Sequence, residues 1–297
     1  MNGSNKTIKI ICIALAAVVV VLLLVLAFLL GQRSAGGNPT TAAPSGPSSS
    51  VSTTAPTGDN HSGSIGTNPS DGQTTAPSVN TVGAPRNLEV SMSAGSLTFV
   101  AGDDFHVDYD KSVINVTEHG DSLTIENDHA HPTASQRRRM DVTVTVPDGY
   151  AFDSVDIEMG AGKMIVHSLT CDALDLELGA GSATIDNVIV IGSAEIQEGA
   201  GELAIKGGVI NNLTLQCGAG ATRVTAKLTG TNTVNAAVGA VDLKFDGAPE
   251  DYTVAFQMGL GACYYNNEKI ARNGSFGEGN TLVNISGGFG VMRVNVG

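Results

Sequence analysis

A three-residue phrase, Gly-Ala-Gly, recurs through the second half of the chain and restricts what that half can fold into. It stands at Gly160-Ala161-Gly162, Gly179-Ala180-Gly181, Gly199-Ala200-Gly201 and Gly218-Ala219-Gly220. It returns in altered form at Gly239-Ala240-Val241, Gly259-Leu260-Gly261 and Gly288-Phe289-Gly290. Successive copies begin 19, 20, 19, 21, 20 and 29 residues apart. A period near 20 residues is the mark of a repeat architecture, in which each unit buries its apolar face only against its neighbours.

Aligned on the first glycine, the copies read in columns. Three residues before it stand Ile157, Leu176, Ile196, Leu215, Ala236 and Phe256. Two before it stand Glu158, Glu177, Gln197, Gln216, Ala237 and Gln257. Four before it stand Asp156, Asp175, Glu195, Thr214, Asn235 and Ala255. After the glycines come Met164, Ala183, Leu203, Thr222, Leu243 and Cys263 at four on, then Val166, Ile185, Ile205, Val224, Phe245 and Tyr265 at six on. Apolar and polar positions alternate with period two, so each arm is a strand with one buried face. Glycine suits the corner between two arms because it tolerates positive φ and close backbone approach. Stacking these units in parallel predicts an all-β fold, a parallel β-solenoid of about 20-residue rungs. A β-sandwich is the rival, but its strands have no need to repeat one register.

Upstream the chain changes character. Residues 1–9 form a short polar tail with Lys6 and Lys9. From Ile10 to Leu30 no charge interrupts an almost wholly apolar run of 21 residues. As a helix that run spans roughly 30 Å, the hydrocarbon thickness of a bilayer. It exceeds the roughly 7–15 apolar residues of a cleaved signal peptide, and no convincing small-residue cleavage site follows. The expectation is a single-pass signal anchor over 10–31. Lys6 and Lys9 before it favour a cytoplasmic N-terminus, a cell-membrane location and an extracellular C-terminal domain.

Residues 32–85 hold seven of the ten prolines among Ser, Thr, Gly and Ala, with Asp59 and Asp71 as their only acids. Such a segment offers too little apolar surface to offset ordering entropy, so it reads as a disordered linker. As a flexible coil it would hold the next domain roughly 40 Å from the membrane on average. The domain itself is read as 86–297. Leu88, Val90, Ser93-Ala94-Gly95, Leu97 and Phe99 match the rung columns and read as a first, capping rung. Asn266 to Asn280 reads as a long insertion before a closing rung at 281–296.

The order of pieces resembles the bacterial putative-adhesin family of β-strand-repeat proteins, a group of domains of unknown function. The matching pieces are Ala101-Gly102-Asp103-Asp104-Phe105, Asp121-Ser122-Leu123-Thr124-Ile125, Val142-Thr143-Val144-Thr145-Val146-Pro147, the Gly-Ala-Gly rungs, Asp251-Tyr252-Thr253-Val254 and Ser286-Gly287-Gly288-Phe289-Gly290. The resemblance implies a β-helix-like, often membrane-tethered extracytoplasmic domain. It supplies no catalytic residue to carry over.

Charge narrows the partners. The stretch 86–297 has 27 acids against 13 bases, a net of −14. Nucleic acid and anionic lipid both call for a basic footprint, which this balance does not offer. Stacked rungs would set Asp156, Asp175 and Glu195 in one outward column and Glu158 and Glu177 in the next. A divalent cation such as Ca²⁺ could bridge them, but the Asp- and Gly-rich nonapeptide of Ca²⁺-binding β-rolls is absent, and the reading is a solvated, screened acidic face with no metal site. Among the four cysteines, Cys12 lies in the apolar run and Cys171 in a return loop, while Cys217 and Cys263 read as buried small hydrophobes. His129, His131 and Arg137-Arg138-Arg139 form one dense polar cluster off the repeat, read as a loop.

No nucleophile motif, no cofactor motif and no Trp are present. Sugar-processing clefts stack their substrate on aromatics, and only 4% of the chain is aromatic. The expectation is a non-enzymatic surface binding or structural module, membrane-held through its helix, meeting wall polymer, a surface protein or a membrane protein. The alternative is an accessory or sensory component of an envelope-stress or signalling system. A nine-residue tail would force that component to act through a membrane partner.

Overall fold

The computed structural model describes residues 78–81, 84–127, 133, 136 and 139–297. The expected anchor at 10–31, most of the 32–85 linker, and His129, His131, Arg137 and Arg138 lie outside the described residues. Among the described residues no helix is long and apolar enough to cross a membrane.

The described chain is built of strands. In order they are β1 (Ser78–Thr81), β2 (Asn87–Met92), β3 (Gly95–Gly102), β4 (His106–Tyr109), β5 (Asn115–His119), β6 (Ser122–Asn127) and β7 (Asp141–Pro147). The long rungs follow: β8 (Phe152–Val166), β9 (Leu169–Ile185), β10 (Val188–Ile205), β11 (Gly208–Asn211), β12 (Leu213–Thr229) and β13 (Thr231–Phe245). The last are β14 (Tyr252–Tyr265), β15 (Glu268–Ile270), β16 (Asn273–Phe276) and β17 (Thr281–Val296).

Successive rungs pair in parallel and in register, as the columns require. Ile157 faces Leu176, Leu176 faces Ile196, and Ile196 faces Leu215. Their side chains and those of Leu88, Leu97, Phe99, Met164, Val254 and Val294 are almost wholly buried in one continuous apolar core. The architecture is a β-solenoid-like repeat. The 20-residue step between β9 and β10 has a local cause. The register shifts between Val190 and Ser193, which places Ile191 and Gly192 in a bulge and leaves Ile191 exposed.

One rung is phased differently from the sequence reading. Gly239 pairs with Gly220, the second glycine of its copy, so the fifth corner is Ala237-Val238-Gly239. Val234 therefore stacks on Leu215, Val241 on Thr222 and Leu243 on Val224. A two-residue slip leaves every side chain on the same face, so period-two alternation alone is blind to it.

The spatial order also departs from the chain order at both ends. The β2–β3 rung pairs with β8 on one side and with β6 and β7 on the other, so it is internal rather than a cap. The closing rung β17 lies between β13 and β14. The outermost rungs are β6–β7 and β14, and each carries antiparallel strands on its free edge. These are β5 on β6, β4 on β7, and β15 and β16 on β14. The insertion at 266–280 is thus a cap. It opens with Asn266-Asn267, both at positive φ, the two-residue turn that suits a hairpin's twist. β1 falls inside the stretch read as linker and pairs antiparallel with β4. An open strand edge recruits a β-competent segment more strongly than the surrounding composition opposes it.

Candidate functional site

The Gly-x-Gly corner fixes everything displayed around it. At Gly162 the backbone has φ +136, and a Cβ built there would stand 1.9 Å from the carbonyl oxygen of Gly95 on the next rung. Gly181 repeats the relation to Gly162 at 2.1 Å. Only a residue without Cβ lets the rungs close to strand spacing at this point, about 4.8 Å. The middle residue of each corner points out, so the corners make one outward column: Ala161, Ala180, Ala200, Ala219, Val238, Phe289 and Leu260, all exposed except half-buried Ala219. Gly160, Gly179, Gly199, Gly201, Gly218, Gly220, Gly239, Gly259, Gly261, Gly288 and Gly290 frame the same column.

On the arm before the corner, the predicted acidic columns form. Asp156, Asp175 and Glu195 stand in line, with Glu158 beside Glu177 in the next column. The ladder extends both columns beyond the sequence reading: Glu89 pairs with Asp156, and Glu126 reaches the second column through Ser91. Glu89 was legible, since it stands four residues before Ser93. Glu126 was not, because its rung is out of chain order. No lysine or arginine stands in either column. Burial holds the Glu177 carboxyl above its ordinary range, and Asp175, Glu158, Asp156 and Glu195 add to the effect.

Among the described residues no group of three or more His, Cys, Asp or Glu side chains is placed to hold an ion. Three carboxylates in one column span two rung spacings, roughly 10 Å. A Ca²⁺ ion needs its oxygens at about 2.3–2.6 Å, so a straight column spreads donors rather than converging them. Other charged rows are paired: Lys206 and His167 flank Asp186 at 2.8 and 2.9 Å, and Arg223 meets Glu202 at 2.7 Å. Arg139, from the arginine run, donates to Asp110 at 2.6 Å.

The interior holds one polar cluster that the sequence reading passed over. Glu198 is only 5% exposed. It stands in the inward column of Met159, Leu178 and Cys217, one residue before the corner. Its Oε2 accepts from the hydroxyl of buried Thr222, and its Oε1 has no hydrogen-bond partner among the described residues. Burial pushes this carboxyl up, against the opposing Thr222 bond. Parity along the strand would have revealed it. Cys171 is buried within β9, not in a return loop, because it opens the short arm that stacks on Phe152 and Val190. Burial pushes the Cys171 thiol up to about 12 and that of Cys217 up to about 11, so neither is poised as a nucleophile. A shallow open groove of about 580 Å³ lies outside the β14 corner, lined by Gly261, Ala262, Lys269, Ile270 and Arg272 over buried Cys263.

These features define a class: an all-β repeat protein whose polar groups are ranked in outward columns rather than gathered around one point. The sequence profile of the Toastrack DUF4097 family matches residues 86–259, more than half of the chain, and the chain belongs to that family. No curated protein matches it. Among solved structures, one similar chain is a putative cell adhesion protein from Clostridium sporogenes ATCC 15579. It is 10% identical with a TM-score of 0.31, and the match covers 74% of this chain and 97% of that one. Another is a putative adhesin from Bacteroides fragilis NCTC 9343. It is 15% identical with a TM-score of 0.28, and the match covers 73% and 95%. The fold assignment rests on the ladders above and on the family match.

Proposed function

We propose that the protein is a membrane-tethered, extracytoplasmic surface module that binds or scaffolds without catalysis. The carrying observation is the straight outward display. Seven carboxylates and seven corner residues stand in three rung-spaced columns over a filled core. Catalysis needs groups converging within about 3 Å of a reacting atom. A periodic display instead suits an extended, repetitive or multivalent partner such as wall polymer or another surface protein. The apolar run at 10–31 and the Pro-rich stretch after it support tethering at a distance.

The test is retention of wall and envelope material by the full-length protein, beside a variant in which Glu89, Asp156, Asp175 and Glu195 are all replaced by Ser. Loss of retention in the variant is expected. Equal retention by both, together with co-purification of an integral membrane protein, would overturn this reading and favour an accessory component acting through the helix.

A further inference from the structure

The corner column changes character along the solenoid. It is alanine from β8 to β12, then Val238, Phe289 and Leu260 on the adjacent rungs β13, β17 and β14. These three are 39%, 61% and 60% exposed. Val291 and Ala262 border them on the next outward position, and Tyr264 follows with Arg293 over its ring at 5.5 Å. Scattered exposed apolar residues are ordinary, but a contiguous ridge of three large ones marks an interaction surface. Aromatic side chains and arginine are the residues that dominate such surfaces.

Charge indicates what covers it. Residues 86–230 carry 21 acids and nine bases, whereas 231–297, the stretch that holds β13, β14 and β17, carries six acids and four bases. The net charge is thus −12 over most of the domain and −2 at this end. Two copies repel each other through every face built on the acidic rungs. They can meet through the last rungs, with both acidic bodies pointing away. An anionic polymer or bilayer would still face the net −12 of the remaining domain.

We propose that the Val238–Phe289–Leu260 ridge pairs with the same ridge of a second copy, antiparallel about a two-fold axis. Phe289 of each copy fits beside Leu260 of the other, where the open groove bordered by Gly261 and Ala262 leaves room. An isologous contact closes on itself, so the ridge makes pairs rather than fibres. Three exposed side chains and their border make a contact smaller than the roughly 800 Å² per partner of a standard stable interface. The pair is therefore weak and needs crowding. This rests on the surface-module reading, because tethering supplies that local concentration.

Full-length protein in phospholipid nanodiscs and on cells, in a Cys12→Ser background, tests it. With Phe289→Cys, a bis-maleimide should link two copies, and Ala161→Cys in the same column should give at least tenfold less product. Phe289→Asp should lower the dimer fraction at least tenfold in sedimentation without changing the thermal melt, because the side chain is mostly exposed. Equal linking from positions 161 and 289, or a dimer indifferent to Phe289→Asp, overturns the proposal. So does a protein that stays monomeric and loses binding to anionic vesicles on Phe289→Asp; the ridge then faces lipid. Retention of wall material separates the two ideas. Unchanged retention with lost pairing in Phe289→Asp leaves the surface-module reading standing, and unchanged retention with intact pairing in the variant with Glu89, Asp156, Asp175 and Glu195 replaced by Ser sinks only that reading.

Discussion

The two ends of the solenoid solve one problem with different chemistry. A parallel rung needs a neighbour on each side, and the outermost rung has one edge bare. At both ends the first or last rung in sequence is placed inward, as β2–β3 and as β17, where both edges are paired. The next strands in sequence take the outside, because they can bring a local antiparallel hairpin to cover it. At the N-terminal end the buried side chain of Asn127 meets the Ser93-Ala94 corner of the neighbouring rung. Its Oδ1 accepts from the Ser93 amide and hydroxyl at 2.7 and 2.8 Å, and its Nδ2 donates to the Ala94 carbonyl at 2.7 Å. At the C-terminal end the equivalent corner is met by exposed Arg272, whose guanidinium donates to the Gly259 carbonyl at 2.6 Å and whose own carbonyl accepts from Met258. One end is closed by a buried amide in fixed geometry, the other by a solvated cation on a surface arc. The N-terminal cap should therefore be the stiffer of the two.

The sharpest way to break this comparison is to place the same methyl group at both ends. A Cβ at Gly162 or at Gly261 meets a neighbouring carbonyl at 1.9 Å. The rung of Gly162 is held between β3 and β9, but that of Gly261 is outermost and can shift. Gly162→Ala should cost about 3–4 kcal/mol and Gly261→Ala about 1–2 kcal/mol, read by denaturant unfolding. Equal costs would mean that the C-terminal rung is as fixed as an internal one. Next in size is removal of the two plugs. Asn127→Ala leaves the part-buried Ser93 amide and Ala94 carbonyl without their partner and should cost about 2–3 kcal/mol. Arg272→Ala exposes a carbonyl that water can reach and should cost at most about 1 kcal/mol.

How far these ends were readable in the sequence follows from the same physics. The rungs, their parallel stacking and the acidic columns were legible, because period-two alternation and the corner glycines are repeated constraints. Asp156 and Asp175 could be paired from spacing alone. The two-residue slip at Gly239 was hidden because it preserves the face of every side chain. It also concealed Asn232, which stands in a buried column and bonds the Leu213 amide at 2.9 Å. The exchange of end rungs was illegible for a different reason: columns give register between rungs, not their order in space. Asn127 looks like any polar residue at a strand end until β6 is placed outside β2. Glu198 is legible by parity, since it stands one residue before its corner on the inward face of Leu178 and Cys217.

A smaller effect tests the N-terminal cap through pH. Asp110 accepts from Arg139 and from the amide and hydroxyl of Ser112, and these bonds, Arg139 first, lower its carboxyl to about 2. Its folded value lies below the unfolded one, so the stability it contributes is present above about pH 4 and is lost as pH falls toward 2. No such pair joins β15 and β16 to β14. Hydrogen exchange of β4 and β7 amides should therefore accelerate between pH 4 and 2 relative to β14, and Asp110→Asn should remove that dependence. Parallel acceleration at both ends would show that the ion pair does not distinguish them.

The smallest expected effect lies between the caps, where Glu198 supplies a reference that neither end contains. Burial raises its carboxyl above the unfolded value, so the folded chain holds the proton more tightly than the unfolded chain does. The stability tied to that proton is complete below about pH 4 and is lost as pH rises through the folded value, the reverse of Asp110. Glu198→Gln keeps the volume, still meets Thr222 and cannot ionise. It should raise stability at pH 7 by on the order of 1 kcal/mol, about 2–4 °C in Tm, and leave stability at pH 4 nearly unchanged. Hydrogen exchange should assign the gain to β10 and β12 rather than to either cap. A gain of equal size at pH 4 would mean that the glutamate is disfavoured by its shape and not by its charge.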